Sequence, residues 1–205
     1  MLKLDALSAA PTAVTQKLAA MHGYAPEQDL ATLRALPPGT LGREHALFLD
    51  ANGITPLVIS PNVRERFRHE PYALRYTTTH DLHHVLTGFD TGFAGEAGVV
   101  AFNVGQGAAP ISRAMLSVVR TVYTLASPTQ AGAIANNIRV GLAMGKKSKL
   151  VIAEPIESYF EEPLVDVRRK LSIPNPRDAG VVPSGKSIVA KLLMPRPASV
   201  PHAAP

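Results

Sequence analysis

The residues best suited to chemistry fall in one short stretch. His80-Asp81-Leu82-His83-His84 is followed, after eleven residues, by Glu96. On a helix, His80 and His84 stand one turn apart on the same face, a spacing that lets two imidazoles hold one ion. Tyr76 lies one turn earlier on that face. Asp81 is rotated by roughly 100°. It is a ligand if the site wraps the helix edge, and otherwise it orients a histidine. Gly88 and the Phe89-Asp90-Thr91 turn bring the chain back, and Glu96 falls about one turn into the next helix, where it can face the histidines. Its neighbours from Phe93 to Val100 are apolar or small, a setting where an unpaired carboxylate is costly. Two histidines with one or two carboxylates suit Zn²⁺, Fe²⁺ or Mn²⁺. A carboxylate outside the metal's reach can serve as general acid or base. The plainer alternative is that the histidines are ordinary surface or core residues and the glycines of 88–107 serve helix packing.

Proline and glycine divide the chain that must position these groups. The pattern predicts helices over Val14–Met21, over Glu27–Leu36, and over Leu41–Ala51 with Thr40 as N-cap. The helix bearing the histidines is expected from Pro71 to about Leu86, with Thr91 capping the next one. Further helices are expected from Pro110 to Leu125, from Thr129 to Met144 with Gly145 just past the end, and from Pro155 to Leu171 with Pro163 splitting it. The reading is therefore all-α, with one helical domain over residues 1–172. Residues 173–205 hold seven of the 18 prolines and read as a Pro-rich tail or extended arm. Within it Ser187–Met194 is apolar, either a short strand or a helix docked on the body or a partner.

Composition bounds the rest. The 205 residues are enough for one domain with a real core, and 46% hydrophobic content excludes a wholly disordered chain. Cysteine is absent, which excludes disulfides, thiolate zinc sites, iron–sulfur clusters and cysteine nucleophiles. The net charge of +5 suggests an anionic partner. Arg64, Arg66 and Arg68, then Lys146, Lys147 and Lys149, then Arg168, Arg169 and Lys170 form the basic clusters. They read equally as solvated helix ends or as contacts to an anionic membrane surface. With 5% aromatics, no Trp and no recognisable basic-helix signature, nucleic acid is not an expected partner. The most apolar stretch, Phe93 to Ile111, is broken by Glu96, Asn103 and Gln106. No spanning helix is expected, nor a secretory or transit signal, so the chain reads as soluble or peripheral.

These residues resemble the Coq-four family of coenzyme Q (ubiquinone) biosynthesis proteins. The likeness rests on His80-Asp81-x-x-His84 with Glu96, and on Arg75-Tyr76 before and Leu86-Thr87-Gly88 after the histidines. Pro38-Gly39-Thr40-Leu41-Gly42-Arg43, Ala46-x-Phe48-Leu49, Gly141-x-x-x-Gly145 and Pro163-Leu164-x-x-Val167-Arg168 extend it over roughly residues 30–173. His45 stands where the family usually has Tyr, and the family's Trp-Glu pair is missing near Ile156–Phe160. The resemblance implies an all-helical fold, an apolar pocket for isoprenoid lipid within helices 93–144, and a divalent metal, usually zinc, on His80, Asp81, His84 and Glu96. It implies a homodimer that sits peripherally on a membrane, on the cytoplasmic face in bacteria or the matrix face of the mitochondrial inner membrane. Other quinone-biosynthesis enzymes are the implied partners. The implied reaction is oxidative decarboxylation at C1 of a polyprenyl-hydroxybenzoate. Arg75 and Tyr76 are then candidates for holding the substrate, and Tyr76, Asp81 and Glu96 for catalysis. The alternative is a non-catalytic isoprenoid-binding scaffold.

Overall fold

The computed structural model describes residues 12–185 apart from 22, 57–58, 68–70 and 109–112. Among these residues the regular elements are helices: α1 (Thr12–Ala19), α2 (Leu30–Ala35), α3 (Leu41–Asn52), α4 (Pro61–Arg66), α5 (Pro71–Thr87), α6 (Phe93–Gly105), α7 (Arg113–Ala126), α8 (Ala131–Lys147), α9 (Leu164–Lys170) and α10 (Pro176–Ala179). Short 3₁₀ turns at Pro128–Gln130, Val151–Ala153 and Ile156–Tyr159 join them. The all-α expectation holds for the described residues. The apolar segment Ser187–Met194 lies outside them.

Local chemistry sets most of the ends. Thr40 accepts from the Arg43 N–H, and Gly53 closes α3 in the left-handed region at φ 63°. The buried N-terminus of α3 is completed from elsewhere: the Leu41 and Gly42 N–H groups donate to Glu162 O and Phe160 O. Pro163 separates the last 3₁₀ turn from α9, as its ring requires.

Two ends differ from the sequence reading. Thr91 does not cap α6, because its hydroxyl donates to Asn52 Oδ1 at 2.8 Å; Gly92 takes the cap position without a side chain. Gly145 does not end its helix, which runs on to Lys147. A Cβ on Gly145 would lie 2.1 Å from Phe102 O, and one on Gly141 2.3 Å from Gly98 O. These glycines let α8 lie backbone against backbone on α6, so the contact between them is closed tightly rather than opened into a pocket.

The core gathers around that pair. Leu82 and Leu86 of α5 pack with Phe89, Phe102, Val140 and Met144. α7 is only half covered. Leu116 is buried, whereas Met115, Val118, Val122 and Leu125 are 47%, 52%, 53% and 76% exposed along one stripe. The start of the expected tail is docked rather than loose. Ile173 is buried, and the strap over residues 180–185 crosses α8 and the start of α6 through hydrogen bonds to Asn136, Asn137, Gln130 and Asp90.

Candidate metal centre

α5 carries His80 and His84 on one face, and the tight turn at residues 88–92 folds α6 back so that Glu96, four residues past Gly92, meets them. His84 Nε2 lies 3.3 Å from His80 Nε2 and 3.4 Å from Glu96 Oε1, and His80 Nε2 lies 3.5 Å from Glu96 Oε2. Among the described residues these three form the group able to hold a metal ion. His84 is enclosed, with a side chain 1% exposed, while His80 and Glu96 stay open at 27% and 32%.

Hydrogen bonding fixes the polarity of this arrangement. His84 Nδ1 is 3.0 Å from the Phe89 carbonyl oxygen, which can only accept, so Nδ1 bears the proton. In a neutral His84 the Nε2 lone pair then points at a carboxylate and a second imidazole. Either a proton carried on a ring nitrogen or a cation among them ties the three groups together. The proton is the ion-free arrangement. Burial pushes His84 down, but the Glu96 hydrogen bond and charge outweigh it and raise its pKa. Burial pushes Glu96 up, and the two imidazoles overcome this and lower it to about 2.

A metal ion does the same, and the spacing suits one. Donors bound at about 2.0–2.1 Å in tetrahedral geometry stand about 3.3–3.4 Å apart, which is the separation found here. The donor set, two imidazole nitrogens and a carboxylate, fits zinc and also Fe²⁺ or Mn²⁺. The Phe89 carbonyl supplies the outer hydrogen bond that metal-bound histidines ordinarily make.

The other expected site residues are distributed around this group. Asp81 is partly buried on the adjoining face of α5, beside a water-sized cavity of about 20 Å³ that it lines with Gln28, His45 and Thr77. Burial raises its pKa against the lowering charge of His80 and His84, so it is an electrostatic neighbour of the group. Tyr76 packs its ring at 5.3 Å from the His80 ring, and burial and the Glu96 charge push its hydroxyl well above the usual value. Arg75 is elsewhere. It is 1% exposed, pairs with Glu157 at 2.6 Å, and donates to the carbonyls of Ile152, Tyr24 and Glu154. That geometry makes it an internal tie between α5 and the segment 152–157, not a group facing the histidines.

Several contributors carry no motif. Tyr123 of α7 touches Phe93 edge-on at 5.4 Å and feels the Glu96 charge. Behind His84, the Phe48 ring stacks at 5.4 Å. An open groove of about 420 Å³ runs past it, lined by Leu47, Val85, Leu164 and Arg168. Arg168 donates through Nε and Nη2 to the carbonyls of Leu86 and Val85 at 2.9 Å, which aims it without neutralising it. Only spacing after the histidines could have pointed to Glu96; nothing in the sequence marks Phe89, Arg168 or Tyr123.

Comparison with known proteins identifies the family. Residues 24–177 match the family model described as Coenzyme Q (ubiquinone) biosynthesis protein Coq4. The mitochondrial ubiquinone biosynthesis protein COQ4 homologue of Mus musculus is 30% identical over 149 residues, covering 72% of this chain and 55% of its own. The Nematostella vectensis homologue is 30% identical over 153 residues, covering 71% of each. The crystal structure of a Nostoc punctiforme protein described as a ubiquinone biosynthesis protein superposes with a TM-score of 0.62 at 26% identity, over 85% of this chain and 81% of that one. The chain spans about half the length of the mammalian relatives it matches. With three quarters of its residues inside the matched region, the chain belongs to the Coq4 family of coenzyme Q (ubiquinone) biosynthesis proteins.

Proposed function

We propose that this chain serves ubiquinone biosynthesis by acting on a polyprenyl-hydroxybenzoate at a divalent metal held by His80, His84 and Glu96. The observation that carries the reading is the convergence of three ligand atoms 3.3–3.5 Å apart around a space that calls for a cation. The metal, zinc or else iron or manganese, supplies a Lewis acid that binds a carboxylate or phenolate and stabilises developing charge. The reaction proposed is oxidative decarboxylation at ring carbon C1: the C1–carboxylate bond breaks with release of carbon dioxide, a C1–hydroxyl bond forms with oxygen from water or dioxygen, and the two electrons pass to an added oxidant such as dioxygen.

The chain's own residues divide the remaining work. Glu96 and His84 fix the centre, the first through α6 and the second through the Phe89 carbonyl. Tyr76 holds its proton at all ordinary pH and can donate it beside His80. Asp81, with its pKa raised, is suited to move a proton between the small polar cavity and the histidine face. The groove behind His84 joins the apolar walls of Leu47, Phe48, Val85 and Leu164 to a polar side that holds Arg168 together with Glu44 and Asp90, which suits a ligand with both an apolar tail and polar ring groups.

A second reading, an isoprenoid-binding scaffold for other quinone-biosynthesis enzymes, is favoured by one observation, the uncovered apolar stripe of α7. Among the described residues no helix is long and apolar enough to cross a membrane. That stripe and the +5 charge support peripheral attachment to an anionic membrane face. The relatives' mitochondrial location supports the mitochondrial version of this attachment.

Purified protein incubated with a polyprenyl-hydroxybenzoate separates the two readings. Catalysis predicts loss of the ring carboxyl as carbon dioxide, abolished in Glu96→Ala. Binding of the same compound without turnover, under every metal tested, leaves the scaffold.

A further inference from the structure

The strap over residues 180–185 lies past the residues that match the family, yet it closes on the element that bears Glu96. α6 begins at Gly92, which has no side chain to cap the free N–H groups of the first turn. Those groups are satisfied from two other parts of the chain. The Ala94 N–H donates to Gln130 Oε1 at 3.2 Å, and the Gly95 N–H donates to Ser184 Oγ at 3.0 Å. Gln130 is itself bound to the strap, donating through Nε2 to Gly185 O at 2.7 Å. A cap that α6 cannot supply itself is thus assembled from the strap and from the turn ahead of α8.

Ser184 does more than accept that bond. Its hydroxyl donates to Asp90 Oδ1 at 2.5 Å, and its backbone N–H donates to Asp90 Oδ2 at 2.6 Å. Asp90 also accepts from Gly92 N at 3.1 Å. Asp90 therefore sits between two residues that fix the centre. On one side is Phe89, whose carbonyl sets the proton position of His84. On the other is the first turn of α6, with Glu96 next to Gly95. Space is tight throughout: a Cβ on Gly92 would lie 2.4 Å from Ser184 Cβ, and one on Gly95 1.8 Å from Asp90 O. Further along, the fully buried Asn137 holds the strap at Val182 O and N, at 2.8 and 3.1 Å, and donates to Ala94 O at 3.2 Å.

We propose that the strap, through the Ser184–Asp90 latch, is a positioning element of the His80–His84–Glu96 centre. It holds the His84 ring and the Glu96 carboxylate in register before any ion arrives. Ser184 and Asp90 are positioning residues and touch neither ion nor substrate. This inference rests on the metal reading given above. Outer hydrogen-bond partners of metal ligands ordinarily account for 10–100-fold in metal affinity; Ser184 stands one contact further out, so the lower end of that scale applies here.

The test is Co²⁺ titration of the full chain, followed by visible absorption, on wild type, Ser184→Ala and Ser184→Thr. Circular dichroism of each ion-free protein is recorded at the same temperature. Ser184→Ala is expected to bind Co²⁺ about 10-fold more weakly, with altered band intensities and unchanged helicity. Ser184→Thr, which keeps the hydroxyl, is expected to restore affinity. Equal affinity of wild type and Ser184→Ala overturns the role of the strap and leaves the metal reading standing. Weaker binding that merely follows lost helicity also overturns it, because Ser184 is then only a stabilising contact. A wild type that binds no Co²⁺ overturns both.

Discussion

Arg75–Glu157 and His80–His84–Glu96 hang on the same helix, α5, and both withdraw charge from water. The first is nearly saturated on its arginine side, while Glu157 Oε2 has no partner among the described residues. Four hydrogen bonds leave Arg75 with one neighbouring carboxylate, three carbonyls and 1% exposure. The second is convergent. Its nitrogens and oxygens point at one another, and His80 Nδ1 has no partner among the described residues. A guanidinium spent on four internal acceptors has nothing left with which to bind a ligand. A set of inward lone pairs has a place for a cation and partial access for what the cation binds. The contrast explains why two polar groups five residues apart have different roles.

The contrast can be broken hardest at the saturated end. Glu157→Ala leaves Arg75 charged and buried without its carboxylate, and it is expected to cost about 3–5 kcal/mol in denaturant unfolding. Joint replacement by Arg75→Met and Glu157→Leu is expected to recover most of that loss, because no unpaired charge remains. Equal stability of Glu157→Ala and wild type would show that the pair is not the tie inferred here.

A smaller effect sharpens the comparison through pH. Burial lowers His45 to about 4 and lowers the fully buried His83 well below its usual value. Both stay neutral in the folded chain while the unfolded chain takes up protons below about 6.5. Their contribution is thus complete above about pH 6.5 and is lost as pH falls toward 4. Glu96 works in a lower window, from about 4.5 down to about 2. The melting temperature of the ion-free protein is therefore expected to fall from pH 6.5 to 4, and His45→Gln is expected to flatten part of that slope. An unchanged slope would remove His45 from the account.

How much of this was legible in the sequence follows from the range of each signal. Thr40, Gly53, Pro71 and Pro163 act on their own backbone, and their helix ends were read within a residue or two. The histidine pair is legible because helical spacing alone puts the two rings together, and Glu96 because a glycine-marked turn and one helical turn after it bring the chain back. Arg75 joins the site only through the family resemblance, and five residues rotate it about 140° from His80. Gly145 looked like a helix end because the reason for it, the backbone of Phe102, belongs to another helix. Thr91 and Ser184 exchanged roles for the same reason. The cap of α6 comes from a segment about ninety residues away, which no local pattern records.

The central claim is a cation among His80, His84 and Glu96, and metal content tests it most directly. Wild type and His84→Ala, purified without a histidine tag, would be analysed by elemental mass spectrometry after exposure to zinc, iron and manganese in turn. The account predicts about one ion per chain in wild type and background in the variant, with unchanged helicity. No retained ion in wild type, or equal content in both proteins, would contradict it.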